Sequence, residues 1–376
     1  MSLVVLCDKN YQNSVWCQIK LKGIFDEAVR RRIQPHFITE IGQFETLAKT
    51  LDADSSVIVL FDSLSYIKKL SVSLKQYRIH PILLVNHITI PLDFHYSLVG
   101  GDIDGATANM AAYLRQEKKY RIAAVGMGKN SCNDSNRIEF LEKYFPKETC
   151  RFFFADGSFR ECYADFAAVQ NEFDAVICPN AHTAICLSEF LKNYPRREEK
   201  LFILSNTDTI MAKLYENGIT SVTTNFYNCG RAAVENHFNR LKFGWAYSKI
   251  YLPLELKVRG STSADVACPN DAGAKNEHGF DMFVSELGRI ENILTVSDLA
   301  NLKLIYGLIC DYSYEKMGEF CFLSADAAKY RVRKMKLALG ADTKEQVAER
   351  LRRYIKRENI LAAIGEYEKR DMICML

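Results

Sequence analysis

The chain has 376 residues, of which 48% are hydrophobic and 25% charged; this is the composition of a folded protein of two or three domains and excludes intrinsic disorder. A formal net charge of +3 is too small for the chain to act as a polycation, so any contact with nucleic acid must rest on local charge. Twelve cysteines lie scattered with no CxxC pair and no metal-ligand spacing, as reduced thiols do, and neither a leader nor a run of roughly 18 apolar residues is present, so a cytoplasmic protein is expected, without membrane, metal or cofactor.

In chain order, Leu3–Cys7 reads as a buried strand, followed by an amphipathic helix from about Ser14 to Arg32 and a short strand at His36–Thr39. Further runs rich in Val, Ile, Leu and Phe fall at Ser56–Phe61, Ile82–Val85, Arg121–Val125, Phe152–Ala155, Ala175–Cys178 and Leu201–Leu204. Helical patterns lie between them, at Gly105–Glu117, Arg137–Tyr144, Phe159–Asn171 and His182–Asn193. Short apolar strands separated by helices predict parallel sheets covered on both faces. The number of such units exceeds one comfortable sheet, so two doubly wound lobes are expected.

Residues 263–280, SADVACPNDAGAKNEHGF, replace periodicity with Gly, Pro, Asn, Asp and Ala and read as a linker. Beyond it the chain reads as all helical. Phe283, Leu287, Ile290 and Leu294 mark one helix, Leu299–Ile309 a second, and Ser313 caps a short third through Met317. Ser324 to Gly340 has marked ends: Ser324 suits the N-cap, Asp326 the first turn, and Gly340 the left-handed stop. Ala325, Ala328, Val332, Met335 and Leu339 form one apolar stripe, beside a face carrying Lys329, Arg333 and Lys336. Thr343 and Gln346 form a capping box for a last helix with Val347, Leu351, Tyr354 and Ile355 inside. Residues 329–357 carry eleven basic against three acidic side chains, +8 locally, while the rest of the chain sums to −5. Such a concentrated face is expected for phosphate contact, with a solvated surface helix as the plain alternative.

Four stretches make residues 1–262 resemble the effector-binding domain of LacI-family repressors, which has the periplasmic-binding-protein fold. They are Trp16-Cys17-Gln18-Ile19 through Ala28; Val99-Gly100-Gly101-Asp102 through Ala106; Ile219-Thr220-Ser221-Val222 followed by Gly230-Arg231-Ala232-Ala233; and Leu252-Pro253-Leu254-Glu255-Leu256 through Thr262, similar to the family's LPxELxxRxST. Residues 295–351 resemble a LuxR-type helix-turn-helix at Asp311-Tyr312-Ser313, Leu323-Ser324, Leu337-Ala338-Leu339-Gly340 and Lys344–Val347. The family's Thr-Val on the recognition helix is Ala327-Ala328 here, and its KLG is LALG. Together the resemblances imply a two-lobed α/β sensor (1–262), a linker (263–280) and an all-α DNA-binding domain (281–376).

Two-lobed folds of this kind take their ligand at the carboxyl ends of parallel strands. Candidates there also fall at the family's ligand positions. Trp16 would stack on an effector, with a core tryptophan as its alternative. Asn86 ends a strand; Arg137 would clamp through its planar fork, or else be a surface residue at a helix start. Phe159 falls at a second stacking position, and Asn180 at the Asn of the family's N-D-x-x-A, whose Asp is Ala181 here. Thr207 and Asp208 stand where the family has two aspartates, so one bidentate acceptor for sugar hydroxyls is missing. His182 reads as a helix-start residue.

For DNA, Lys329, Tyr330 and Arg333 are expected in the groove, and Arg331, Lys334, Lys336 and Lys344 at phosphates. No P-loop, no G-x-S-x-G and no supported nucleophile–base pair is found, and Gly126-Met127-Gly128 lacks the rest of a dinucleotide fingerprint, so no enzyme is expected. The resemblance therefore implies a regulator that binds a small molecule, expected to be a carbohydrate, and DNA, as a homodimer. The rivals are a carbohydrate solute-binding receptor, and a sensor whose helical tail binds protein or RNA.

Overall fold

Strands and helices alternate through the first two thirds of the computed structural model, which describes residues 2–374 apart from 53–54, 78, 86–91, 130, 196–198, 224, 245, 264–276 and 296–297. In chain order the elements are β1 (Leu3–Cys7), α1 (Val15–Arg30), β2 (His36–Ile38), α2 (Ile41–Ala48), β3 (Ser56–Leu60), α3 (Leu64–Gln76), β4 (His80–Leu83), β5 (Ser97–Gly101), α4 (Ile103–Gln116), β6 (Ile122–Met127), α5 (Cys132–Tyr144) and β7 (Cys150–Phe154). They continue with α6 (Phe159–Ala168), β8 (Ala175–Cys178), α7 (Ala181–Leu191), β9 (Phe202–Ser205), α8 (Ile210–Leu214), β10 (Thr220–Val222), α9 (Phe226–Phe243), β11 (Lys249–Leu252) and β12 (Leu256–Lys257). Helices alone follow: α10 (Glu277–Thr295), α11 (Leu299–Ile309), α12 (Tyr314–Cys321), α13 (Ala325–Leu339), α14 (Lys344–Tyr354) and α15 (Arg357–Cys374).

The strands form two sheets, ordered β11-β5-β4-β3-β1-β2 and β12-β10-β9-β8-β6-β7. Strand β1 pairs in parallel with β2 and β3, β3 with β4, and β8 with β9. In each sheet the order reverses beside the first strand laid down, β1 in one and β6 in the other. Every residue of β1, β3, β5, β6, β8 and β9 is buried, which is why these strands are continuous apolar runs rather than alternating ones. The expected α/β class with doubly wound parallel sheets is what is found.

By Cα proximity the chain divides into two compact units. The first is Met1–Ile122, Met127–Phe159 and Val222–Leu256; the second is Ala123–Gly126, Arg160–Ser221 and Lys257–Leu376. In the first, α1 and α9 cover one face of the sheet and meet at two glycines. A Cβ on Gly23 would lie 2.0 Å from the Tyr227 carbonyl oxygen, and one on Gly230 would lie 2.1 Å from that of Lys20. The same crossing buries Glu27, whose carboxylate accepts from Arg30, Arg31 and Arg231.

Helix ends follow the capping chemistry of the sequence. The Ser14 hydroxyl accepts from the Cys17 amide at 3.2 Å, and Arg32 leaves α1 in the left-handed region at φ 57. Helix α5 starts at Cys132, five residues before the expected Arg137, because the Ser131 hydroxyl caps the Asp134 amide although the turn between is polar. Ser324 caps the Ala327 amide at 3.1 Å, and Gly340 ends α13 at φ 65. Behind α13, Ala328, Val332, Met335 and Leu339 are buried. Thr343 caps the Gln346 amide as expected, but the Gln346 side chain reaches the Asp342 amide rather than that of Thr343.

Within the second unit the tail helices pack against the sheet's own helices: α10 against α7 and α8, and α15 against α8. Phe280 sits edge-on to Phe190 and Tyr163, at centroid distances of 5.1 and 6.3 Å. The Asn359 amide donates to the carbonyls of Leu214 and Glu216, and Lys213 pairs with Glu366 at 2.6 Å. Residues 264–276, most of the expected linker, lie outside the described residues.

Candidate functional site

In the first unit the sheet's reversal falls between β1 and β3, and the residues just past their carboxyl ends are Asp8 and Asp62. Open α/β sheets bind ligand at such a point because the two flanking loops part there. Helix α1 supplies Lys20 from the stripe that also buries Cys17, Leu21 and Ile24. The Lys20 ammonium lies 3.4 Å from the Tyr11 hydroxyl and 3.2 Å from the Leu84 carbonyl. It also sits over the Tyr11 and Phe226 rings, 5.6 and 5.4 Å from their centroids. Burial opposes its charge, but Tyr11, Cys229 and Cys17 outweigh that and hold its pKa above the ordinary lysine value.

Trp16 is half-buried and tilted against Phe226, with centroids 5.4 Å apart. The Asn133 amide donates to the Asp62 carboxylate. Burial pushes the Asp62 carboxyl up, and Asn133 and Arg137 pull it back. Arg137 is 9% exposed and donates through Nη1 to Asp134, while its Nε has no hydrogen-bond partner. The Tyr66 hydroxyl is likewise buried without one. An unsatisfied buried donor costs about 1–3 kcal/mol, so a ligand that brings oxygen acceptors gains there. The set combines carboxylates, planar donors, an ammonium and aromatic faces, groups that can bind a polar small molecule.

Two other predicted residues of this unit fall differently. Asn86 lies outside the described residues. Phe159 opens α6 and is 51% exposed. The sequence reading missed Asp8, Tyr11, Lys20, Asp62, Tyr66 and Asn133. The available signals were Asp62 directly behind a strand run, and Lys20 at a buried position of an apolar stripe.

In the second unit Asn180 and Thr207 also follow strand ends. Asn180 is the N-cap of α7, its side-chain oxygen accepting from the Thr183 amide at 2.8 Å. Thr207 is buried, with Oγ1 lacking a hydrogen-bond partner. Asp208 is held by Arg259 through two bonds of 2.8 Å, so its carboxylate is already used. His182, in the first turn of α7, does more than start a helix: its Nδ1 lies 2.6 Å from Glu291 of α10. Burial works against a charge on this imidazole, but Cys186 and Glu291 hold its pKa up at about 10.

On α13 the basic face is open to solvent. Lys329, Tyr330, Arg333 and Lys334 are exposed and Lys336 is partly so; the Lys334 ammonium lies over the Tyr330 ring at 4.8 Å. Arg331 is turned inward, donating twice to Asp298 at 2.8 Å and to Asn301 at 3.0 Å. Lys344 donates to the Tyr312 carbonyl at 2.6 Å. Among the described residues no three His, Cys, Asp or Glu side chains form a metal-binding group, and no helix is long and apolar enough to cross a membrane.

No protein-family model matches the chain, and no curated protein does. Solved structures do match in fold. A LacI family transcriptional regulator from Weissella paramesenteroides with bound glucose is 17% identical, with a TM-score of 0.55 over 70% of this chain and 99% of that one. A LacI family regulator from Enterococcus faecium with bound ribose is 16% identical, with a TM-score of 0.54 over 70% and 99%. The Lac repressor bound to ONPG is 13% identical, with a TM-score of 0.56 over 70% and 82%. The chain thus shares the fold of LacI-type two-lobed sensor domains.

Proposed function

We propose that the protein is a ligand-responsive transcriptional regulator without enzymatic activity, in which residues 1–262 bind a small carbohydrate and residues 281–376 bind DNA. The observation that carries this reading is the joining, in one chain, of a LacI-type sensor fold to a capped helix, α13, whose apolar stripe is buried and whose basic face is exposed. The fold neighbours with bound glucose and ribose support a sugar as effector, and so do the unsatisfied donors at Arg137 and Tyr66 of the first unit.

Lys329, Tyr330 and Arg333 are the residues for the groove, and Lys334 and Lys336 for phosphates. Arg331 and Lys344, the other two expected phosphate contacts, are already bonded within the helical tail, Arg331 to Asp298 and Lys344 to the Tyr312 carbonyl, and stand behind these. The effector acts by binding two arrangements of the protein with different affinity. The loops after β8 and β9 lead into α7 and α8, and these helices carry the contacts to α10 and α15 that would pass the difference on. A cytoplasmic homodimer would present two copies of α13 to two half-sites.

The test is DNA binding by the intact chain. Lys329→Ala with Arg333→Ala should abolish sequence-specific binding in a gel shift and leave any sugar-induced thermal shift intact. Unchanged affinity at physiological salt would refute the assignment. One observation favours a second reading, a protein partner for the tail: Phe322 and Leu337 are 88% and 76% exposed, and a groove on the tail is lined by Ile293, Leu323, Ala327, Tyr330, Lys334 and Met335. Binding of the tail to a protein in the absence of any DNA preference would select it.

A further inference from the structure

The loop that carries Tyr11 and leads into Trp16 of α1 runs between two buried thiols. Cys7 is the last residue of β1 and Cys17 lies in the first turn of α1; both are fully buried, with Sγ atoms 3.3 Å apart. A disulfide needs about 2.05 Å, so the sulfurs have roughly 1.3 Å to close. We infer that Cys7 and Cys17 are a reversible disulfide-forming pair, oxidised by a peroxide, that fastens the Asp8–Ser14 loop and the start of α1 to the sheet.

The surroundings bias which of the two sulfurs ionises. The hydrogen bond from Cys7 lowers the Cys17 pKa most; burial opposes ionisation, and Lys20 aids it. Cys7 is shifted up by the same hydrogen bond and by burial, so it keeps its proton. The direction of these shifts makes Cys17 the nucleophile and Cys7 the resolving thiol. In the first step the Cys17 thiolate attacks one oxygen of hydrogen peroxide. An S–O bond forms, the O–O bond breaks, and hydroxide leaves and takes a proton to become water. In the second step the Cys7 sulfur attacks Cys17, the S–S bond forms, and the S–O bond breaks. The departing hydroxide takes the Cys7 proton as water. Two thiols are oxidised and one peroxide is reduced to two waters. A dithiol reductant reverses the step by exchange.

The consequence is local. Turn hydrogen bonds already fold the loop, from the Tyr11 and Gln12 amides to the Asp8 carbonyl and from the Ser14 amide to the Tyr11 carbonyl. A covalent tie between its ends removes their freedom to part, and with it the freedom of Tyr11 to move apart from Lys20.

The intact protein tests this directly. Treatment with hydrogen peroxide, blocking of remaining thiols and non-reducing tryptic digestion cut after Lys9 and Lys20, placing Cys7 and Cys17 on separate peptides. The expected result is one linked species joining residues 1–9 to residues 10–20, lighter by two hydrogens than the sum of its parts and lost on reduction. In Cys7→Ser the link should vanish and Cys17 should stop at a sulfenic acid trapped by dimedone. Recovery of both cysteines as blocked thiols from the oxidised wild type, or conversion of Cys17 to sulfinic or sulfonic acid without the link, overturns the inference. The wild-type result stands whether or not the variant folds.

Discussion

Trp16 and Arg137 carry the sensor reading at the scale of single residues. Trp16 offers a half-buried aromatic face against Phe226, and Arg137 a buried guanidinium with one nitrogen unsatisfied. For any sugar that raises the wild-type melting temperature, Trp16→Ala and Arg137→Ala should each erase the rise; a rise kept in both variants places the site elsewhere. His80 gives a pH signature independent of ligand. Burial holds this imidazole at about 4, beside Arg240 and His237, with Nε2 2.8 Å from the Ser97 hydroxyl. A depressed folded pKa contributes stability that is whole above the unfolded value of 6.5 and is lost as pH falls toward 4. The loss reaches about 3 kcal/mol at most. Urea midpoints should therefore drop more steeply between pH 7 and 5 in the wild type than in His80→Gln, and parallel declines would remove His80 from the account.

Among elements, the α1–α9 crossing makes the sharpest demand on sequence. Each glycine there faces a backbone carbonyl at about 2 Å from where a Cβ would stand, and backbone cannot rotate away as a side chain can. Gly230→Ala should lower stability by about 1–3 kcal/mol or more through forced separation of the helices, while Gly42→Ala, with nothing within 4 Å, should be neutral or stabilising. Equal unfolding midpoints for both variants would contradict the crossing. What sequence alone could show follows the same physics. The strands β1 and β8 were legible to the residue because strands buried on both faces are unbroken apolar runs with polar ends. The short edge strand β12 and the five-residue α8 were not, because so few residues carry no period. Helix α15 was missed because, among its described residues, the buried positions Ile360, Ala363 and Ile364 are too few to mark a period. The site was legible in part. Trp16 and Arg137 stand at resemblance positions, whereas Lys20 and the His182–Glu291 pair depend on partners 64 and 109 residues away, which spacing cannot reveal.

At the scale of the molecule, the second unit places the tail helices directly on α7 and α8. Asn180 caps α7, and two residues on His182 bonds to α10; Thr207 and Asp208 precede α8, whose last carbonyl accepts from Asn359 of α15. A change in the loops after β8 and β9 thus meets the tail within one helix length. That arrangement matters for regulation only if the tail reads DNA, so selection from a random double-stranded DNA pool by the intact chain is the most direct measurement. The account predicts enrichment of a two-fold symmetric site whose half-sites stand about one helical turn apart, with no enrichment by Lys329→Ala with Arg333→Ala. A pool that emerges without any preferred sequence, or one enriched equally by the double variant, would contradict it.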